Sequence, residues 1–464
     1  MTRAGVIAMS CLKKSGEIRL SDHFTYGRLL RFVLPSVCMM LFTSVYSVVD
    51  GFFVSNYVGK TPFAAVNLVM PLLTIFCSAG FMMGAGGNAI VGKTLGEGQR
   101  ALANRYFSLF LYVICGVGTL LAVLGIVFAR PLVLLLGAEG EMLGYCVRYA
   151  RIILCALPMF MLQNMFQVFF ITAEKPRLGL FVTVFSGVLN IVLDALLVAV
   201  FPLGLTGAAI ATALAQMAGG TVALVYFARP NTGLLQICGI REAFARENRP
   251  GRMLAAACIN GSSEMVSNIA MSVVSIVYNF QLMSYIGEDG IAAYGVIMYV
   301  GFLFVAIYIG YAMGVSPVVS FHFGAENRAE LRNLRKLSMA VLAVTGVGML
   351  VLSQSLAVPL SALYVGYDAS LYSLTVHAFR IFNLSYLLCG FSIFISAFFT
   401  ALNDGVTSAV ISLLRTFVFQ IASVLLLPLF CGIEGVWWSV IVSEGASVLL
   451  SFFCLLRGRR RFGY

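Results

Sequence analysis

The chain is built from long apolar runs that alternate with short polar stretches. Each run approaches the roughly 20 residues that a helix needs to cross the hydrocarbon of a bilayer, whereas barrel strands would be shorter and would alternate in polarity. The pattern therefore predicts an all-α polytopic membrane protein with twelve transmembrane helices. The predicted spans cover about residues 29–56, 62–86, 104–129, 147–172, 179–201, 205–228, 254–286, 291–319, 337–360, 371–400, 406–429 and 434–456.

The polar connections between the predicted spans alternate in charge. Lys and Arg are concentrated at both termini and in every second connection, and the other connections hold little beyond Lys60, Arg130, Arg148 and Arg151. Because cytoplasmic connections are the ones enriched in Lys and Arg, we expect a multi-pass protein of the plasma (inner) membrane with cytoplasmic N- and C-termini. The same bias explains the net charge of +11, so we expect no nucleic-acid partner.

The longest internal polar stretch divides the chain almost in half. It contains Pro230, Asn231, Pro250 and Gly251, which are typical loop residues. The chain should therefore have five parts. These are a cytoplasmic tail (1–28), an N-terminal six-helix lobe (29–228), a cytoplasmic inter-lobe loop (229–253), a C-terminal six-helix lobe (254–456) and a basic cytoplasmic tail (457–464).

The two halves are related by an internal repeat with an offset of 228 residues. Over residues 59–101 the second half repeats ten of 43 residues without a gap, among them Gly86 as Gly314 and Gly96 as Gly324. Each half has an even number of spans, so both halves should have the same orientation and be related by an axis along the membrane normal. The repeat predicts two pseudo-symmetric lobes with a cleft between them.

The composition excludes several classes of protein. The chain is 60% hydrophobic and 11% charged, whereas soluble domains are about 25% charged. Its 11 cysteines show no metal or redox spacing. We find no nucleotide-binding loop, no HExxH motif and no Ser/His arrangement in the sequence, so we expect no enzymatic activity, no cofactor and no use of ATP.

A few acids lie inside the predicted spans. An Asp at the bilayer centre costs roughly 2.5–3.5 kcal/mol, so each such acid is a candidate functional group that faces water, a partner or a proton. Asn190 lies four residues before Asp194, which puts both on one helix face, and Thr212 in the sixth span could reach that face. The acids are Asp50, Asp194, Glu264 and Glu444.

Six stretches are similar, in the same order, to the multidrug and toxic compound extrusion (MATE) transporters. They are LPSV at 34–37, VDGFFVSNYVG at 49–59, AAVNLVMP at 64–71, LGEG at 95–98, NIVLD at 190–194 and GVSPVVSFHFGAENR at 314–328. The resemblance covers about residues 27–457. It implies two six-helix lobes around a V-shaped cavity, and a secondary antiporter that exports organic cations in exchange for H+ or Na+ by alternating access.

The resemblance also implies roles for individual residues. In MATE transporters the counterparts of one set of residues surround a buried protonation site in the N-terminal lobe. Gln167 stands where some relatives have Asn, and Pro35 matches a proline at which the first helix is proposed to bend. That set comprises Tyr46, Asp50, Tyr149, Asn164, Asn190, Asp194 and Thr212. We expect the two Asp, Asn190 and Thr212 to couple the ion, and the remaining members with Gln167 to line the substrate cavity.

Glu264 matches a glutamate of the sodium-coupled branches, which also use an Asp in the tenth span. The tenth span here contains no acid, so Glu264 is a candidate second cation site, and H+ and Na+ both remain open as coupling ions. Glu444 aligns with Gln216 across the repeat, which indicates a structural role. The partners of Arg415 and Arg380, the other charges at membrane depth, stay open.

One alternative function remains. Flippases of lipid-linked saccharides or lipids share this superfamily's repeat, but they tend to need a strongly basic cavity for a diphosphate. The cavity candidates here are acids and amides, which suit a cation. We therefore expect small cationic or amphipathic substrates, membrane lipid around the protein, and a monomer.

Overall fold

The computed structural model describes residues 18–58, 60–366 and 368–464 and contains no β-strand in those ranges. Eleven of its helices are long and apolar enough to span a membrane, and one bent pair of helices supplies a twelfth span. We number the spans α1 to α12. They are α1 Tyr26–Phe53, α2 Lys60–Gly96, α3 Arg100–Val127, α4 Gly140–Thr172, α5 Pro176–Val200, α6 Gly204–Ala228, α7 Pro250–Tyr285, α8 Glu288–Gly324, α9 Arg328–Val365, α10 Ala369–Asn383 with Tyr386–Ala401, α11 Gly405–Cys431 and α12 Ile433–Phe462.

Shorter elements connect some of the spans. A two-turn helix, Ala129–Leu135, follows α3, and the inter-lobe loop contains a short helix, Ile240–Ala243, and a 3-10 turn, Arg246–Asn248. At the other end of the chain α12 continues through residues 457–462, and Tyr464 is buried. Residues 1–17 of the predicted N-terminal tail, and Gly59 at the start of the predicted repeat, lie outside the described residues.

The internal repeat is visible in the backbone. Both ends of α8 lie 228 residues after the ends of α2. The turn after α2 has Gly98 at a φ of 78°, and its counterpart after α8 has Glu326 at a φ of 53°. A left-handed residue costs little for glycine and more for glutamate, so the second turn keeps its shape without the residue that suits it best. The sequence repeat therefore corresponds to a structural repeat, in which α2 of the first lobe is equivalent to α8 of the second.

The tenth span differs from its prediction as one continuous helix over 371–400. It is bent by 45° between Asn383 and Tyr386. At the bend the amides of Leu384 and Ser385 donate to carbonyls three residues earlier, at 3.1 and 3.0 Å, so the regular helical ladder is interrupted. Asn383 and Ser385 are the polar residues at the break, and the segments on both sides are apolar enough for the hydrophobicity pattern to read as one continuous span.

Each lobe has its own buried core. The first turns of the first helix of each lobe pack into the core of the other lobe. Leu29, Phe32 and Val33 of α1 belong to the core of the C-terminal lobe. Ala257 of α7 belongs to the core of the N-terminal lobe. Consequently α1 packs against α8, and α2 packs against both α7 and α8. This crossing joins the lobes in the half of the molecule that contains the chain termini.

Glycines bring the crossing helices into backbone contact. A Cβ on Gly86 of α2 would lie 2.6 Å from the amide nitrogen of Gly261 on α7. Further along α2, Gly96 packs against the carbonyl of Phe321, and Gly324 of α8 packs against the carbonyl of Lys93. Small residues permit such close approach between membrane helices, so the described inter-lobe joint is tight at this end.

Candidate functional site

Both candidate aspartates of the N-terminal lobe lie next to π-helical segments. Asp50 lies four residues before the segment Val54–Val58, and Asp194 directly precedes the segment Ala195–Val200. A π-helical turn inserts an extra residue into the helix and often marks a functional site. These two segments contact each other, so α1 and α5 are irregular at the same place.

The carboxylates of Asp50 and Asp194 lie within hydrogen-bonding reach of one another, and Asp50 also reaches the hydroxyl of Thr212. Asp194 is fully buried, and no donor from the described residues reaches either of its carboxylate oxygens. Asn190 donates from Nδ2 to Oγ1 of Thr212 at 3.4 Å. The structure thus brings together the four residues of this lobe that the sequence assigns to ion coupling.

Two tyrosines border this acid pair. Tyr149 is buried, and its phenol is close enough to both carboxylates to interact with them electrostatically. Tyr46 lies one turn before Asp50 and interacts with that carboxylate. A Cβ on Gly187 of α5 would lie 3.1 Å from the ring of Tyr46, so this glycine lets the ring pack against α5. Both tyrosines therefore lie beside the acid pair.

The remaining cavity candidates lie at a different depth. Asn164 is 15 residues from Tyr149 along α4, which is roughly 22 Å at 1.5 Å per residue. Asn164 and Gln167 are buried, and the described part of the chain gives no hydrogen bond from either to the acid pair. The predicted cluster is therefore two groups, and the amides are displaced along α4 toward its C-terminal end.

Two further amides accompany this second group, and sequence reasoning missed both. Gln163 is buried with its Oε1 unpaired, and its amide packs over Gly219 of α6. Gln216, also on α6, has an unpaired buried Oε1. The sequence contained a signal for the first one, because Gln163, Asn164 and Gln167 are clustered within an apolar span.

Pro35 lies inside α1, which is one continuous helix in this structure. It is buried at the inter-lobe contact, where a Cβ on Gly310 of α8 would lie 2.6 Å from the Cα of Val37. Asp50 is 15 residues further along, roughly 22 Å away. A bend at Pro35 would therefore change the packing between the lobes more directly than the geometry of the acid pair.

In the C-terminal lobe, Arg415 forms a bidentate ion pair with Glu444. Its Nε lies 3.1 Å from both carboxylate oxygens, and its Nη2 lies 2.9 Å from Oε1. Arg415 also interacts electrostatically with Glu264 of α7. Glu264 and Glu444 therefore have an arginine beside them, whereas in the described part of the chain no basic side chain forms an ion pair with Asp50 or Asp194. This contact identifies the partner of Arg415, which the sequence left open.

The described residues contain no group of three or more His, Cys, Asp or Glu side chains that could hold a metal ion. The oxygens of the acid pair could bind a proton, a sodium ion or a cationic molecule. Two neighbouring carboxylates disfavour double ionisation, because each charge repels the other.

Comparisons with known proteins agree with this architecture. The chain is 23% identical over 433 residues to the multidrug export protein MepA of Staphylococcus saprophyticus, covering 93% of this chain and 94% of that protein. It is 22% identical over 436 residues to MepA of Staphylococcus aureus, covering 94% of both.

Solved structures show the same fold. An outward-facing multidrug resistance MATE family transporter of the MOP superfamily superposes with a TM-score of 0.89 at 20% identity, covering 97% of this chain and 99% of that one. A variant of the Vibrio cholerae MATE transporter VcmN superposes with a TM-score of 0.85 at 20% identity, covering 94% and 97%. The MatE family model matches twice, over residues 35–196 and 265–426, once in each lobe. This chain is therefore a member of the MatE family.

Proposed function

We propose that this protein exports small cationic or amphipathic molecules in exchange for protons by alternating access. The buried pair formed by Asp50 and Asp194 carries this proposal. The relatives named as multidrug export proteins support the substrate class. The flippase alternative has less support, because the described polar groups near this pair are acids, amides and hydroxyls rather than bases.

A proton could be shared between the two carboxylates, since no described side chain donates a hydrogen bond to Asp194. Like charges at hydrogen-bonding distance cannot both ionise without a large cost, so the pair shares a proton when no other cation is present. A cationic substrate would replace that proton electrostatically, and a proton from outside would displace the substrate. Binding of the two is thereby made competitive, which is the requirement for exchange.

The driving force is sufficient for such exchange. One proton that moves down one pH unit supplies about 1.4 kcal/mol. A membrane potential adds about 2.3 kcal/mol per charge for each 100 mV. Exchange of a monovalent cation for one proton cancels the electrical contribution, so steep export would need a second proton.

Arg415 makes the C-terminal lobe a weaker candidate for ion coupling. Its guanidinium is bound to Glu444 and interacts with Glu264, so these two acids already have a fixed positive charge beside them. That charge offsets part of their attraction for another cation. We therefore assign coupling to the N-terminal lobe, with Glu264 as a secondary candidate.

The tight joint between α1, α2, α7 and α8 corresponds to an outward-facing state if the termini are cytoplasmic. The bias of Lys and Arg supports that orientation. In this state α2 and α7 meet at Gly86 and Gly261 on the cytoplasmic side. Export would then require this joint to open, so that the cavity reaches the cytoplasm.

The test is uptake of a fluorescent organic cation into everted vesicles, driven first by a pH gradient and then by a sodium gradient. The proposal expects uptake with the pH gradient, little with sodium, and loss in Asp50→Asn and Asp194→Asn. Glu139→Gln, which changes an exposed acid, is the matched control and should transport normally. Normal uptake by both aspartate variants would contradict the proposal, and sodium-driven uptake that requires Glu264 would replace it.

A further inference from the structure

Three arginines converge on one groove of the N-terminal lobe, at the end opposite the chain termini. The groove has a volume of about 560 Å³ and is formed between the connection after α3 and the first turns of α4. Its basic residues are Arg130, Arg148 and Arg151, and its apolar lining includes Leu143, Val147 and Ile152. None of these residues belongs to the acid pair or to the inter-lobe joint.

The three guanidinium groups are unpaired. All three side chains are exposed, and in the described part of the chain none forms a hydrogen bond or ion pair. No acid lines the groove. The acid nearest in sequence to the lining, Glu141, accepts a hydrogen bond from Tyr145 at 3.3 Å instead. Three like charges that face one groove repel each other, so the groove is suited to an anion.

The level of the groove matches the boundary between hydrocarbon and lipid headgroups. Helix α4 has 33 residues, which correspond to about 50 Å, whereas the hydrocarbon is about 30 Å thick. A centred helix would therefore extend about 10 Å, or roughly seven residues, beyond each side of the hydrocarbon. Arg148 and Arg151 follow Gly140, the first residue of the helix, by eight and eleven positions, so they lie near this boundary.

The arginines are also at the side of the membrane where basic residues are scarce. The connections on this side hold little beyond Lys60 and these three arginines, because positive charge is concentrated on the other side. Three of these few basic residues are gathered around one groove. Topology alone does not require them there, so a ligand explains their placement better.

We propose that this groove binds the phosphate of an anionic phospholipid in the outer leaflet. The guanidinium groups would hold the phosphate oxygens, for which the planar fork of arginine is well suited. Leu143, Val147 and Ile152 would contact the upper part of an acyl chain. The assignment to the outer leaflet follows from the proposed orientation, whereas the site itself does not depend on it or on transport.

A bound lipid would act on the residue next to it in the chain. Tyr149 directly follows Arg148 but points into the lobe toward the acid pair. A phosphate that fixes Arg148 and Arg151 would hold this turn of α4 in place and thereby the position of Tyr149. The site is thus suited to make transport sensitive to the amount of anionic lipid.

The test is labelling of the purified full-length protein in detergent with a photoreactive phosphatidylglycerol, followed by peptide mapping. We expect the label within residues 130–152 of the wild type. Arg148→Gln with Arg151→Gln should weaken this labelling on the order of thirty-fold, because each guanidinium near a headgroup contributes about 1 kcal/mol. The matched control, Arg241→Gln with Arg246→Gln in the inter-lobe loop, should leave it unchanged.

Three results would overturn the proposal. The first is a wild-type label that maps outside this region, a result that does not depend on any variant folding. The second is equal labelling by photoreactive phosphatidylcholine, which would show that only acyl chains bind. The third is displacement of the label by millimolar inorganic phosphate, which would show a site for free phosphate. Retained labelling in Arg148→Lys with Arg151→Lys would support a role of charge.

Discussion

Gly86 of α2 meets Gly261 of α7, and the repeat places an equivalent contact between Gly314 of α8 and Val33 of α1. A Cβ on Gly314 would lie 2.7 Å from a methyl group of Val33, whose counterpart in the second lobe is Gly261. The two contacts are related by the same offset of 228 residues. At the α2–α7 crossing a glycine contacts a glycine, whereas at the equivalent α8–α1 crossing a glycine contacts a valine. The backbones therefore approach more closely at the α2–α7 crossing.

We predict that Gly86→Val destabilises the outward-facing state, because α2 and α7 could no longer pack together at the cytoplasmic side. The added side chain would collide with the carbonyl of Ala257 and the backbone of Gly261. Overpacking typically costs about 1–3 kcal/mol, which would reduce the population of this state about 5- to 150-fold. Transport should fall accordingly, and a cysteine placed beside Gly86 should become reactive from the cytoplasm.

Gly348→Val is the matched control for this variant. Gly348 lies in α9 with no atom near the position of its Cβ, so the same substitution should be tolerated there. If Gly86→Val transported at the rate of Gly348→Val, the joint would not be part of the transport cycle.

The spans and the repeat could be predicted from the sequence because both are recorded in the order of apolar and polar residues. The match between α2 and α8, for example, needs only the positions of glycines and of the charged ends. The bend between Asn383 and Tyr386 could not be predicted, because it depends on backbone hydrogen bonds that the polar residues at the break, Asn383 and Ser385, do not by themselves indicate.

The functional residues were predictable to different degrees for a similar reason. Asn190 and Asp194 share a helix turn, so their proximity follows from spacing. The contact between Asp50 and Asp194 joins two helices, and the sequence indicated it only through the resemblance to MATE transporters. Arg415 and Glu444 are likewise on different helices, so neither spacing nor composition could reveal their ion pair.

For the acid pair we predict a loss of substrate-linked proton release. Addition of a cationic substrate to the wild type in weakly buffered detergent solution should release protons, because substrate and proton compete for the same carboxylates. Asp50→Asn and Asp194→Asn should each abolish the release. Asn190→Ala removes only the 3.4 Å hydrogen bond to Thr212 and should reduce transport without abolishing it. Full release from either aspartate variant would assign the proton elsewhere.

For the C-terminal lobe we predict that Glu444→Gln is strongly destabilising. It would leave Arg415 largely buried without its bidentate partner, and loss of one member of a buried pair typically costs about 3–5 kcal/mol. Thermal unfolding in detergent should show a much lower Tm. Arg415→Gln combined with Glu444→Gln should be less destabilised than the sum of the single variants, and strict additivity would contradict the ion pair.

Arg415→Gln alone tests the choice of coupling ion. It removes the fixed positive charge beside Glu264 while Glu444 stays acidic, so sodium should then bind there and raise the Tm. The wild type should show no specific stabilisation by sodium over potassium. A sodium-specific rise in the wild type would indicate that Arg415 does not exclude the ion.

The orientation predicts which loops are labelled from outside. In a variant without native cysteines, a cysteine near Asp368 should react with an impermeant reagent added to intact cells. A cysteine near Arg246 in the inter-lobe loop should react only after the membrane is opened. The reverse pattern would invert the orientation and turn the described state into an inward-facing one.

The N-terminal segment connects the two lobes at the end that contains the chain termini. The amide of Leu20 donates to Oε1 of Glu174, in the turn between α4 and α5, at 2.7 Å. Glu330, at the start of α9 in the other lobe, lies 2.6 Å from Nδ1 of His23 and accepts from the amide of Phe24 at 3.0 Å. Opening of the cytoplasmic side would separate the two anchors, so this segment must release at least one of them.

We therefore predict that Glu330→Ala favours the inward-facing state. The substitution removes the bonds to His23 and Phe24, and hydrogen bonds to a charged group contribute about 1.5–3 kcal/mol each. Spin labels on the cytoplasmic ends of α3 and α9 should show a larger share of long distances than in the wild type. Glu97→Ala is the control, because among the described residues the one ion pair of Glu97 is with Lys93, four residues earlier in the same lobe.

Glu174 gives this connection a dependence on pH. Burial raises the pKa of its carboxyl above the ordinary value, although the amide of Leu20 partly opposes the shift. A group whose pKa is raised on folding contributes stability that is present below its unfolded pKa and is lost as the pH rises through its folded pKa. The amide of Leu20 binds the ionised carboxyl more strongly than the neutral one, so this contact itself should strengthen as the pH rises, although ionisation of the buried group costs stability. Glu174→Gln, which stays neutral, should make the distribution of spin-label distances less dependent on pH than in the wild type. An unchanged pH dependence would show that Glu174 does not control the segment.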